Sequence, residues 1–158
     1  MVETNQRKAY GKTLVKLCRE NKDIIVLDAD LGGSTMGKMV QTDNPKQHLE
    51  MGIAEANMAS VAGGLARVGK IPFANSFAVF AAGRAYDQIR QSIAIGHLNV
   101  KICGSSAGCS DFGDGATHQS IDDLAYMRVI PGMTVIVPAD ANETEAATKY
   151  MAKHQGPM

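Results

Sequence analysis

Short strand-like runs alternate along the chain with longer stretches of helical spacing. From about Gln6 to Asn21 the apolar positions Ala9, Leu14, Leu17 and Cys18 fall on one side of a helix. Ile24-Ile-Val-Leu27 then reads as a strand buried on both faces, because a continuous apolar run leaves no polar side for water. Its polar continuation, Asp28-Ala-Asp30, marks the strand's carboxyl end. The same unit recurs as Glu50–Ile53 before a small-residue helix, and as Ile71–Ala74 before a helix from Val79 to Gly96. Val100–Cys103 leads into a long loop, and Thr134–Val137 precedes a helix from about Asn142 to Lys153. Strands alternating with helices predict one doubly wound α/β domain, its sheet mostly parallel and covered by helices on both faces. In such sheets ligands lie at the carboxyl ends of the strands, where Asp30, Glu55, Phe77 and the loop from Gly104 to His118 all fall.

Chemistry concentrates in three places along this pattern. In Gly52-Ile-Ala-Glu-Ala-Asn-Met58 a single acid, Glu55, stands where strand gives way to helix. By position alone it is an ordinary first-turn acid, favoured by the helix dipole by about 0.3–1 kcal/mol. The following Val61-Ala-Gly-Gly-Leu-Ala66 has few bulky side chains, so this helix can approach a neighbouring backbone or a flat ligand closely. Phe77 and Phe80, three apart at the start of the next helix, share a face and can hold a planar ring by stacking, although core packing explains either one singly. Gly104 to Gln119 is a long loop of small and polar residues, and loops of that length in compact domains are commonly functional. Its Gly113-Asp-Gly115, followed by Asn142, superficially matches a magnesium and diphosphate signature. Asn142 falls instead at a predicted helix start, where Asn is a favoured cap.

Composition narrows the function classes. A chain of 158 residues is long enough for one core and short for a two-domain enzyme, so a large active site must be completed elsewhere. Sixteen basic and sixteen acidic residues cancel without a block of like charge, which argues against nucleic acid and anionic membrane as partners. Cys18, Cys103 and Cys109 lack the spacing of a zinc site or a disulfide framework, which fits a reducing cytoplasm. No apolar run approaches a membrane span of about 20 residues.

Taken together, Asp28–Leu31, Gly52–Met58, Asn75–Gly83, Gly113–Gln119 and Val137–Glu143 resemble the pyrimidine-binding domain of the transketolase family, in the family's order and over essentially the whole chain. The likeness is nearest to the separately encoded C-terminal subunit of split transketolases. It implies a part of a thiamine diphosphate-dependent transferase that moves a two-carbon ketol unit between sugar phosphates. The glutamate matching Glu55 hydrogen-bonds the pyrimidine N1′ of the cofactor and sets its protonation state. Asp30, Phe77 and Phe80 are implied as further cofactor contacts. His118 would meet the substrate and shuttle protons, and Asp114 would bind a sugar hydroxyl. Arg7 and Ser34 match positions that contact substrate phosphate, for which an arginine fork is suited. The chain is expected to hold no metal of its own: magnesium and the diphosphate fall to a partner subunit, in a homodimer or heterotetramer.

The resemblance has departures. Ser106 stands where many transketolases carry histidine, and Ala56 where split forms often show glutamine, so the preferred sugar is left open. The family pattern continues past Met158 into another strand and a C-terminal domain, which predicts a chain cut before its last strand. A deoxyxylulose-phosphate-synthase-like chain, a 2-oxo acid dehydrogenase beta-like chain and a non-catalytic interaction domain of the same fold are the alternatives. Gly-Asp-Gly-Ala-Thr-His-Gln119 favours the transketolase side.

Overall fold

The computed structural model describes residues 4–158. Four strands, β1 (Ile24–Asp28), β2 (His48–Glu50), β3 (Ile71–Phe77) and β4 (Lys101–Ser105), form one sheet in the order β2-β1-β3-β4. Every pairing is parallel. Alternation along the strands sends neighbouring side chains to opposite faces. Ile24, Val26 and Phe73 pack with Leu14 and Cys18 of α1 (Gln6–Glu20), while Leu27 and Ala74 pack on the other face with Met58, Ala59 and Ala62 of α4 (Glu55–Arg67). Two short helices, α2 (Gly32–Thr35) and α3 (Lys38–Asp43), connect β1 to β2. Among the described residues, no helix is long and apolar enough to cross a membrane.

The helix expected over 79–96 is wound unusually. Two π-type stretches, Val79–Arg84 and Ile89–Ala94, flank the short α5 (Tyr86–Gln88). π-Turns inside helices often mark functional sites. Against this rod α4 packs backbone to backbone: a Cβ on Gly63 would lie 2.6 Å from the Ser92 carbonyl oxygen. The small-residue run after Glu55 therefore serves close packing of the helix that carries Glu55.

Three expectations need correction. The second strand ends at Glu50 instead of running to Ile53, because Gly52 takes a left-handed φ of 66° and its carbonyl accepts from Ala54 N, turning the chain into α4. Thr134–Val137 forms no strand; of its amides, Thr134 N donates to the Pro157 carbonyl, and no ladder develops. The neighbouring tail instead meets β4, with Ile102 N donating to Met158 O and Met158 N to Val100 O. Finally, Asp140 caps α7 (Ala141–Met151), its carboxylate accepting from Glu143 N, so Asn142 lies inside the helix. The remaining helix, α6 (Asp123–Arg128), follows the long loop.

Candidate functional site

The carboxyl ends of the strands carry the backbone's unusual geometry. Asp30 beyond β1, Gly52 beyond β2 and Ser106 beyond β4 have φ of 58°, 66° and 54°. For Asp30 and Ser106, which carry side chains, this conformation persists only where the surroundings enforce it, and such residues cluster at functional sites. At two of the turns the enforcing group is Glu50: its Oε1 accepts from Asp30 N at 2.8 Å and from Gly52 N at 3.0 Å. One carboxylate thus ties the turn after β1 to the turn that leads into Glu55. Glu50 was not singled out from the sequence, where an acid at a strand end reads as solvated.

Glu55 is the first residue of α4 and only 3% exposed. A buried carboxylate is costly unless paired, and its partner is Arg84, whose Nη1 lies 3.3 Å from both carboxylate oxygens. The side chain of Arg84 is 51% exposed. Its guanidinium also lies over the ring of Phe80, with Cζ 4.0 Å from the centroid. Phe80 and Phe77 stack at 6.2 Å between centroids and 18° between planes. The His118 ring meets both edge-on, at 5.3 Å from Phe80 and 6.1 Å from Phe77. Thr117 Oγ1 bonds His118 Nδ1 at 2.9 Å. Glu55, Phe77, Phe80 and His118, drawn from three separate segments, therefore converge through Arg84. Phe77 closes β3 and Phe80 and Arg84 follow it in the π-wound Val79–Arg84, so the turn from strand into helix gathers the three side chains. Arg84 was not singled out from the sequence, where a long charged side chain gives no sign of a buried partner.

A second group lies on the α1 side. Arg7 Nη1 reaches the Ser34 carbonyl oxygen at 3.3 Å, and Arg7 and Ser106 both line a cleft of about 440 Å³ together with Tyr10, Thr35 and Cys103. Asp30 and Asp114 do not join either group: both side chains are exposed, and Asp30 takes part through its amide. Beneath the cleft the polar groups are buried and satisfied. Asp28 accepts from Thr35 Oγ1 at 2.6 Å and pairs with His48 Nε2 at 3.0 Å, and the Tyr10 hydroxyl bonds Asn75 Oδ1. Burial, with the neighbouring Cys103, pushes the Tyr10 phenol well above its usual range and raises the Cys103 thiol to about 12. Both groups therefore stay neutral and act as framework. Lys101, also buried, holds the tail through the His154 and Gly156 carbonyls, each at 2.9 Å, and burial lowers its ammonium to about 8.

The donor set at Glu55 suits a flat, nitrogen-bearing ring. Two aromatic rings give it walls, a buried carboxylate can share a proton with a ring nitrogen, and one imidazole edge closes the side. Ser76, before Phe77 in β3, has a buried hydroxyl with no hydrogen-bond partner among the described residues; strand alternation sends it to the face opposite Phe77. Among the described residues no group of three or more His, Cys, Asp or Glu side chains is placed to hold a metal ion.

Comparison with known proteins agrees with this geometry. Residues 3–158 match the model of the family described as transketolase, pyrimidine binding domain. A putative transketolase C-terminal section from Methanocaldococcus jannaschii is 45% identical over 157 residues, covering 99% of this chain and 50% of that protein. A 6-deoxy-6-sulfo-D-fructose transketolase subunit from Clostridium sp. (strain MSTE9) is 41% identical over 152 residues, covering 96% and 47%. Among solved structures, a split-gene transketolase described as an inactive beta4 tetramer superposes with a TM-score of 0.84 at 54% identity, covering 96% of this chain and 49% of the other. The chain spans about half the length of these relatives. With the strand-end placement of Glu55 and its aromatic neighbours on an all-parallel sheet, these matches show that the chain belongs to the family of transketolase pyrimidine-binding domains.

Proposed function

We propose that this chain is the pyrimidine-binding part of a thiamine diphosphate-dependent transketolase that transfers a two-carbon ketol unit between sugar phosphates. The observation that carries the reading is the buried Glu55 carboxylate set against the Phe77 and Phe80 pair and the His118 edge. When bound, thiamine diphosphate supplies an electron sink that lets a carbon–carbon bond beside a carbonyl break and reform. The chain's own residues do the rest. Phe77 and Phe80 bind and orient the aminopyrimidine ring, and Glu55 holds or moves a proton at its ring nitrogen. His118 exchanges a hydrogen bond or proton with a sugar hydroxyl. Arg7, with Ser34 and Ser106 beside it, receives the anionic end of the sugar. Asp30 and Asp114 are weaker members of the set, since they lie exposed and outside both groups.

The diphosphate and its magnesium are held by a partner subunit, a reading supported by relatives named as a C-terminal section and as a subunit of a transketolase. The three free cysteines fit a reducing cytoplasm. The anionic end of the sugar varies among relatives, since the Clostridium protein carries a sulfonated sugar in its name. The test is assembly with a diphosphate-binding transketolase subunit, followed by a ketol-transfer assay over phosphorylated donors with one sulfonated donor included. Transfer that needs both chains and added thiamine diphosphate is expected. An assembly that binds the cofactor yet transfers from no donor, or an isolated chain that works alone, would overturn the proposal.

A further inference from the structure

Arg84 stands in two places that the proposed cofactor ring needs. Its Nη1 is 3.3 Å from both oxygens of Glu55, so the carboxylate has no oxygen left free of the guanidinium. Its Cζ sits 4.0 Å from the Phe80 centroid, inside the separation of about 4.5–7 Å at which a second ring stacks. A guanidinium is planar, cationic and an N–H donor, and so supplies the flat surface and the hydrogen bond that an aminopyrimidine would supply. The side chain is also free to leave: it is 51% exposed, against 3% for Glu55, and the contacts named here are its anchors. Its segment belongs to the π-wound stretch Val79–Arg84, and the next residue, Ala85, leaves helical geometry with φ −99° and ψ 8°.

Resting on the proposed function, we infer that Arg84 is a placeholder for the cofactor's pyrimidine ring. In the free chain it neutralises the buried Glu55 and covers Phe80; the arriving ring takes over both contacts and Arg84 swings to solvent. The ring therefore binds at the expense of an existing ion pair and an existing cation–π contact. Arg84 tunes cofactor affinity downward, and it keeps a buried carboxylate from standing unpaired while the site is empty. This role is opposite in sign to that of a residue which merely supports the site, because removing a support weakens binding and removing a competitor strengthens it.

The sign is what the experiment reads. In the assembled complex with the diphosphate-binding subunit, thiamine diphosphate and magnesium are titrated calorimetrically into the wild type, Arg84→Met, Glu55→Gln and the double variant. Arg84→Met is expected to tighten cofactor binding about tenfold, the scale of one half-exposed ion pair plus one cation–π contact. Without cofactor it should also lower the melting temperature of the isolated chain, since Glu55 is left buried and alone. In the Glu55→Gln background the same substitution should change the affinity less than threefold, because part of what Arg84 holds is gone. Unchanged or weaker binding by Arg84→Met, with the wild type binding normally, overturns the placeholder and leaves the proposed function standing. Absence of cofactor binding in every version, wild type included, overturns the proposed function and the placeholder with it.

Discussion

At the scale of single residues, the chain separates groups that hold the site from groups that would meet ligands. Glu50 belongs to the first kind: fixing two amides with one oxygen sets the entry to α4 and so the aim of Glu55. His118 belongs to the second. Its contacts are aromatic edges and a neighbouring threonine, which leaves Nε2 uncommitted by any of them. In the assembled enzyme His118→Ala should cut ketol transfer about ten- to hundredfold, the worth of a hydrogen bond to a charged or reacting group. Cofactor binding measured on the same protein should change little. Equal losses in both would mean that His118 supports the ring site and does not face the sugar. Much of this scale was legible in the sequence, because acids, aromatics and histidine at strand ends are few in this chain. Arg84 and Glu50 were not, since a long charged side chain reads as solvated until the fold supplies its buried partner.

At the scale of elements, packing of α4 decides where Glu55 points. Gly63 and Gly64 sit side by side in that helix but meet different surroundings. A Cβ at 63 would press on the Ser92 carbonyl at 2.6 Å, whereas at 64 it meets nothing within 4 Å. Alanine in an exposed helix interior gains about 1 kcal/mol over glycine, and overpacking against backbone costs about 1–3 kcal/mol. Gly64→Ala should therefore raise the isolated chain's denaturant midpoint and Gly63→Ala should lower it; the reverse order would mean that α4 does not pack on Ile89–Ala94. Helices α1, α4 and α7 and strands β1 and β3 follow the hydrophobic pattern closely. Thr134–Val137 shows why pattern is not enough: the sequence has strand character, but a strand needs a partner ladder, and here the backbone finds one contact with the tail. The π-winding of Val79–Arg84 and Ile89–Ala94 is not announced by the apolar spacing, which reads equally as an ordinary helix.

At the scale of the whole molecule, a parallel sheet packed by helices on both faces, on the proposed reading, offers the carboxyl ends of its strands to the pyrimidine ring and the sugar and leaves the diphosphate half of the cofactor to another subunit. The fold class and the family were both readable from the order of the five motifs, the first three of which lie at or just beyond the carboxyl ends of β1, β2 and β3. What spacing alone did not give is the split into two neighbouring groups, Glu55 with the aromatics and Arg7 with Ser34 and Ser106, which arises from three-dimensional packing of loops far apart in sequence. The central claim is that Glu55 sets the protonation state of the bound cofactor. Its most direct test is the exchange rate of the thiazolium C2 proton of thiamine diphosphate bound to the assembled complex, followed by NMR after acid quench. Glu55→Ala is predicted to slow that exchange by about two orders of magnitude or more, the scale of a lost acid–base contact, while the cofactor remains bound. Exchange at the wild-type rate in Glu55→Ala, with the cofactor bound, would contradict the account.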